Sequence, residues 1–115
     1  MKIAGKIWGQ TAELFKNSNV EIHRLEITKD GYCSKHKHLH KFNMFFVERG
    51  QVEIRVWKND YSLVDTTILN THDIHVVEPG EFHQFKVLKS GVMFEIYWVE
   101  LRSCDIEREE IGGQK

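Results

Sequence analysis

His36, His38 and His40 alternate with Lys37 and Leu39 in the run Ser34-Lys35-His36-Lys37-His38-Leu39-His40-Lys41-Phe42-Asn43. Side chains on an extended backbone repeat every two positions, so a strand here points all three imidazoles to one side. Neutral imidazole is the commonest protein ligand for transition metals, and that is the chemistry this spacing suggests. Two or three ligands on one strand rarely complete a coordination sphere, so a distant segment must supply the rest. Glu78-Pro79-Gly80-Glu81-Phe82-His83 offers one. Cys33 lies close by, but its odd position puts it on the opposite strand face from His36 and His38, which argues against it as a ligand.

The elements that must position these groups belong to a chain of 115 residues, the size of one domain, taken here as residues 1–115. With 41% hydrophobic and 29% charged residues it reads as an ordinary folded protein rather than a disordered one. Sixteen Lys and Arg against 17 Asp and Glu leave a net charge of -1, which favours neither nucleic acid nor an anionic membrane. The local basic cluster Lys35, Lys37, Lys41 suits a small anionic ligand. No apolar run approaches a membrane span, and Met1-Lys2-Ile3-Ala4-Gly5 lacks the apolar core of a secretory signal, so a cytoplasmic location is expected. Cys33 and Cys104 then read as free thiols.

In order, the chain reads as short strands joined by turns. Lys6 to Phe15 is aromatic and mildly alternating, and Val20 to Ile27 is the plainest strand. Asp30-Gly31 carries a turn signal before the histidines. Met44 to Arg49 and Gln51 to Trp57 flank Gly50 as an expected hairpin, and Phe82 to Leu88 with Val92 to Leu101 flank Lys89-Ser90-Gly91 as another. Leu63 to Leu69 and Ile74 to Val77 are further strands. Only Ser103 to Ile111 suggests a helical turn. This pattern implies an antiparallel sandwich or barrel.

His36-Lys37-His38, Asn43 and Gly50, followed by Pro79-Gly80-Glu81-Phe82-His83, resemble the two-part motif of the cupin superfamily. The resemblance implies an all-β double-stranded β-helix, or jelly-roll barrel, here with a short C-terminal helical or irregular tail. It also implies a divalent transition metal (Zn, Mn, Fe, Ni or Co) held by His36, His38, Asn43 and His83. Asn43 stands where cupins usually place a carboxylate, and a neutral amide is the poorer ligand. Trp8-Gly9, the spacing of His36, His38, Lys41 and Asn43, and Asp105 to Arg108 with Gly112-Gly113 are most similar to the mannose-6-phosphate isomerase-like cupins.

Other residues have two readings. The ligand pair is His36 with His38, or in an alternative register His38 with His40. His40 otherwise reads as exposed, and His23, His72 and His75 as surface or hydrogen-bonded residues. Lys41 is either a solvated charge or a site residue. Glu95 and Tyr97 share one strand face and Val92, Phe94, Ile96 and Trp98 the other; the polar pair is expected to point inward. Phe45, Phe46, Trp57 and Phe85 are expected core. The leading expectation is a metal-assisted isomerase of a sugar or sugar phosphate, with Glu95 as base, Lys41 as electrostatic partner and Tyr97 beside them. The alternatives are a non-catalytic cupin that binds sugars or other small molecules and a three-histidine iron dioxygenase. Apolar strands with two faces to cover lead to the expectation of a homodimer.

Overall fold

The structure is a computed structural model that describes residues 2–58 and 63–100. Cys104 and the Ser103 to Ile111 segment lie outside the described residues. The described residues form seven strands: β1 (Lys2–Lys6), β2 (Gly9–Lys16), β3 (Val20–Ile27), β4 (Phe42–Trp57), β5 (Val64–Leu69), β6 (Ile74–Val77) and β7 (Phe82–Trp98). Their order is β1-β2-β3-β7-β4-β5, with β6 also paired to β4, and every pairing is antiparallel. This is an all-β jelly-roll arrangement. Among the described residues no helix is long and apolar enough to cross a membrane.

The two expected hairpins are not there. Met44 to Arg49 and Gln51 to Trp57 form one bent strand, β4, and both halves pair with a second bent strand, β7. The register slips three times between Val47 and Val52, so the inward positions change from odd (Asn43, Phe45, Val47) to even (Val52, Ile54, Val56). On β7 the inward positions stay odd, from His83, Phe85 and Val87 to Met93. Each long strand thereby serves both layers of the sandwich. The glycines read as turns are points of close approach: a Cβ on Gly91 would lie 2.0 Å from the Arg49 carbonyl oxygen, and one on Gly50 would lie 2.7 Å from that of Lys89. The first aromatic segment also differs, because it folds into the β1–β2 hairpin around Ile7-Trp8.

The core lies between the layers. Leu25 and Ile27 of β3, Phe45, Val47, Ile54, Phe85, Val87 and Met93 are buried, with Trp8 and Cys33 packed against them. Phe45 and Phe85 are core as expected, but Phe46 and Trp57 face outward and are only half-buried. Parity decides this, since each neighbours an inward residue on its strand. The outer face of the first layer is nonetheless apolar: Phe42 stacks on Trp98 with ring centroids 5.4 Å apart, and Phe46 lies 6.3 Å from Phe94.

Candidate metal centre and its cavity

The histidine segment is not a strand. Residues 33–41 have one isolated bridge just before them, Tyr32 to Lys86, and one within them, His36 to His83, and no ladder between. Four steps along this segment match three along β7. The extra residue reverses the parity, so Cys33 and His36 both turn inward, and the exclusion of Cys33 from the histidines' side is overturned. Backbone bonds hold the segment against β7: Cys33 N–H to Phe85 O at 3.2 Å, and reciprocal bonds between His36 and His83 at 3.0 and 2.8 Å. The Pro79-Gly80 turn, with Gly80 at φ 84°, donates its amide to the His38 carbonyl at 2.7 Å.

His36, His38 and His83 come together, each offering one ligand atom, all within 4.8 Å of one another. Their ring centroids are 4.5 to 5.4 Å apart. His40 does not join them and is exposed, contrary to the expectation that all three alternating imidazoles share a side. A carbonyl can only accept, so Nδ1–H of His36 donates to Ser34 O at 2.7 Å and Nδ1–H of His83 to Glu81 O at 3.0 Å. In the neutral rings both Nε2 atoms then carry the lone pair a metal needs. Burial pushes the His83 pKa down to about 4, helped by its neighbours His36 and His38; burial lowers that of His38 as well. Neither ring has to shed a proton to bind an ion near neutral pH.

Asn43 is buried beneath the rings. Its amide N–H donates to His83 Nε2 at 3.3 Å, leaving its Oδ1 without a partner. Among the described residues the buried side-chain atoms lacking any hydrogen bond are this oxygen and His38 Nε2. Native interiors rarely leave such atoms orphaned. An imidazole nitrogen left without a partner within a three-imidazole cluster fits a divalent cation.

Beside the cluster is a cavity of about 380 Å³ lined by Trp8, Thr11, His23, Cys33, His36, Glu95 and Tyr97, with Lys6 at its edge. Glu95 and Tyr97 therefore point inward, from β7, and the Tyr97 hydroxyl donates to the Glu95 carboxylate. Burial raises both pKa values, and the Glu95 charge raises that of Tyr97 further. Tyr97 also packs edge-on against His38, with centroids 5.0 Å apart. Burial pushes the Cys33 thiol up to about 12, so it stays a protonated thiol at neutral pH. Lys41 sits outside, exposed, with Nζ 3.1 Å from Glu21 Oε1 and 5.7 Å from the Tyr97 ring centroid. Burial would raise the Glu21 pKa, but hydrogen bonds from His23 and Lys41 outweigh it and lower the value. Sequence reasoning missed Trp8, Thr11 and His23 as cavity residues. For His23 the signal was present, since it shares parity with Leu25 and Ile27.

No protein-family model matches the chain, and no curated protein matches it in sequence. Solved structures do match in shape. The cupin domain of Cnp3 from Schizosaccharomyces pombe has a TM-score of 0.72 at 14% identity, over 87% of this chain and 69% of that one. An RmlC-like cupin from Shewanella frigidimarina has a TM-score of 0.71 at 16% identity, over 86% and 84%. The capsular polysaccharide assembling protein CapF from Staphylococcus aureus has a TM-score of 0.73 at 18% identity, over 85% of this chain and 27% of that one. The likeness is one of fold: the chain is built as a cupin-type barrel, and its three-histidine group fits a metal-binding cupin.

Proposed function

We propose that this cupin holds a divalent transition metal through His36, His38 and His83, with Asn43 beside them, and isomerises a small sugar or sugar phosphate. The metal, when bound, supplies a Lewis acid that stabilises negative charge on a substrate oxygen. The observation that carries the reading is Glu95, a carboxylate in a desolvated cavity that also contains His36. Glu95 takes the proton from the carbon beside the carbonyl, giving an enediolate, and returns it to the former carbonyl carbon, while the hydroxyl proton passes from the second oxygen to the first. Desolvation makes this carboxylate a stronger base than one in water, and the Tyr97 hydroxyl orients it. Lys6 places positive charge at the cavity, suited to a phosphate or carboxylate. The likeness in shape to CapF, a capsular polysaccharide assembling protein, supports a carbohydrate ligand.

Protein purified without a histidine tag or chelator should carry close to one equivalent of a transition metal, and stripped protein should melt higher when metal is restored, as ligand linkage requires. A metal-free preparation with no thermal shift on adding Zn, Mn, Fe, Ni or Co removes the metal from this reading. In D₂O, the loaded protein should place deuterium on the carbon next to the carbonyl of its aldose or ketose substrate, and Glu95→Gln should abolish the exchange. Binding without exchange across a panel of sugars and sugar phosphates favours a second reading, a non-catalytic binding cupin. The Asn43 amide capping His83 Nε2 is the observation on its side.

Glu95 also has a signature independent of turnover. Its pKa is raised from 4.5 in the native state, so the native protein keeps a proton that the unfolded chain has released. Its contribution to stability is full below the unfolded value and declines as pH rises through the native one. Melting temperatures of stripped protein should fall with pH above about 4.5, and Glu95→Gln should flatten that slope. Parallel curves for the two proteins would assign the slope to another group.

A further inference from the structure

We infer, on the isomerase reading of this cavity, that His23 carries the hydroxyl proton between the two substrate oxygens, with Glu21 as the positioning residue that holds its ring. Glu95 handles the proton on carbon, which leaves the proton on oxygen in need of its own carrier.

The strand register builds a square of four side chains. His23 of β3 is paired with Glu95 of β7, and Glu21 with Tyr97 two residues away. His23 and Glu95 both line the cavity. Directly opposed side chains start about 5 Å apart, close enough for both to reach adjacent atoms of one small substrate. His23 Nε2 lies 3.2 Å from Glu21 Oε2. A carboxylate only accepts, so Nε2–H donates and Nδ1 keeps the lone pair that a base needs. Lys41 at 3.1 Å and Lys16 at 3.7 Å both approach the other oxygen, Oε1, so Oε2 is left to the imidazole. The Glu21 charge is thus already matched by two ammonium groups, and the ring is not required to neutralise it. Tyr97 packs edge-on against the same ring, with centroids 5.9 Å apart, and restricts its tilt.

The other groups around the cavity are poorly suited to the task. The Tyr97 hydroxyl is committed to Glu95, Cys33 stays a protonated thiol, and the His36 lone pair belongs to the metal cluster. Lys6, as an ammonium, has no lone pair to offer. Once Glu95 has removed the carbon-bound proton, the former carbonyl oxygen is an anion and the second oxygen a hydroxyl. His23 Nδ1 takes the hydroxyl proton, becomes an imidazolium beside the Glu21 carboxylate, and gives the proton to the anion. The negative charge then rests on the second oxygen. Its electron pair forms the new carbonyl bond as Glu95 returns its proton to the former carbonyl carbon.

His23→Gln keeps an amide N–H for Glu21 and removes the basic nitrogen. The probes are a panel of aldoses, ketoses and their phosphates, given in D₂O to the metal-loaded full chain. On a sugar that the parent turns over, the variant should exchange the carbon-bound proton within about tenfold of the parent while isomerisation falls at least about a hundredfold, the size of a general acid–base contribution. A ring with a purely structural role would lower both rates together. Should His23→Gln fail to fold, Glu21→Gln leaves the ring in place and should show the same split at about tenfold. In stripped protein, ¹⁵N resonances of labelled histidine should place the His23 proton on Nε2; a proton on Nδ1 overturns the inference without any turnover being measured. Equal losses, or none, in the folded variants overturn the role of His23 and leave the isomerase reading standing. A parent that neither exchanges nor isomerises any member of the panel overturns both.

Discussion

His38→Ala is expected to lower metal affinity at least a hundredfold, about 2.7 kcal/mol, while leaving the stripped protein's melting temperature almost unchanged. The asymmetry follows from what the ring does without metal. His38 Nε2 is buried and has no hydrogen bond, so removing it deletes an unsatisfied polar atom rather than a partner. The ring is only half-buried, so little packing is lost. His83→Ala should behave differently although it removes an equivalent ligand. His83 is 1% exposed and accepts the Asn43 amide, so truncation leaves a cavity and an orphaned amide donor on Asn43, destabilising the stripped protein by about 1–3 kcal/mol. Calorimetric titration alongside thermal melts distinguishes the two. Unaltered affinity in His38→Ala, or its unfolding, would show that this imidazole is a packing residue.

A large effect on stability is expected from Gly91→Ala. The new Cβ would stand 2.0 Å from the Arg49 carbonyl oxygen and 2.6 Å from its carbon, both backbone atoms of a paired strand that cannot swing aside. Relief requires the β4–β7 crossing to open, which should destabilise the fold by about 4 kcal/mol or leave the protein insoluble. Gly5→Ala is the control, since nothing lies within 4 Å of its added carbon. It should melt with the parent. A Gly91→Ala protein that does the same would show that the two strands do not approach so closely.

Gly91 also shows where sequence reasoning stops. A glycine between two apolar alternating runs signals a turn or a tight crossing with the same residue, and only the partner strand distinguishes them. The partners lie about forty residues away, so the local pattern did not contain the choice. What depends on local pattern was legible: Val20–Ile27 and Ile74–Val77 are strands at the expected bounds, and Asp30, at φ 72°, occupies the turn before the histidines. His36, His38 and His83 were legible as a set from spacing and resemblance together. Cys33 was misplaced because one unpaired residue between two bridges reverses a parity that counting along the segment assumes constant. Trp8 and Thr11 reach the cavity only through the β1–β2 hairpin, whose turn at Ile7-Trp8 lacks the usual residue pair.

The position of β7 in the sheet order also bears on how the chain acquires its shape. β7 is the last of the described strands in sequence, yet it lies between β3 and β4, pairing with β4 from Phe82 to Trp98 and with β3 from Gly91 to Trp98. Until it is available, the β1-β2-β3 meander and the β4-β5-β6 group have no strand in common. Contacts so distant along the chain close slowly, after loop entropy has been overcome. During synthesis the two groups must wait, with apolar edges unpaired, for the final strand to emerge. The nascent chain is therefore most vulnerable to aggregation late, and a stall or truncation before Phe82 should leave it without a native nucleus or an assembled ligand set.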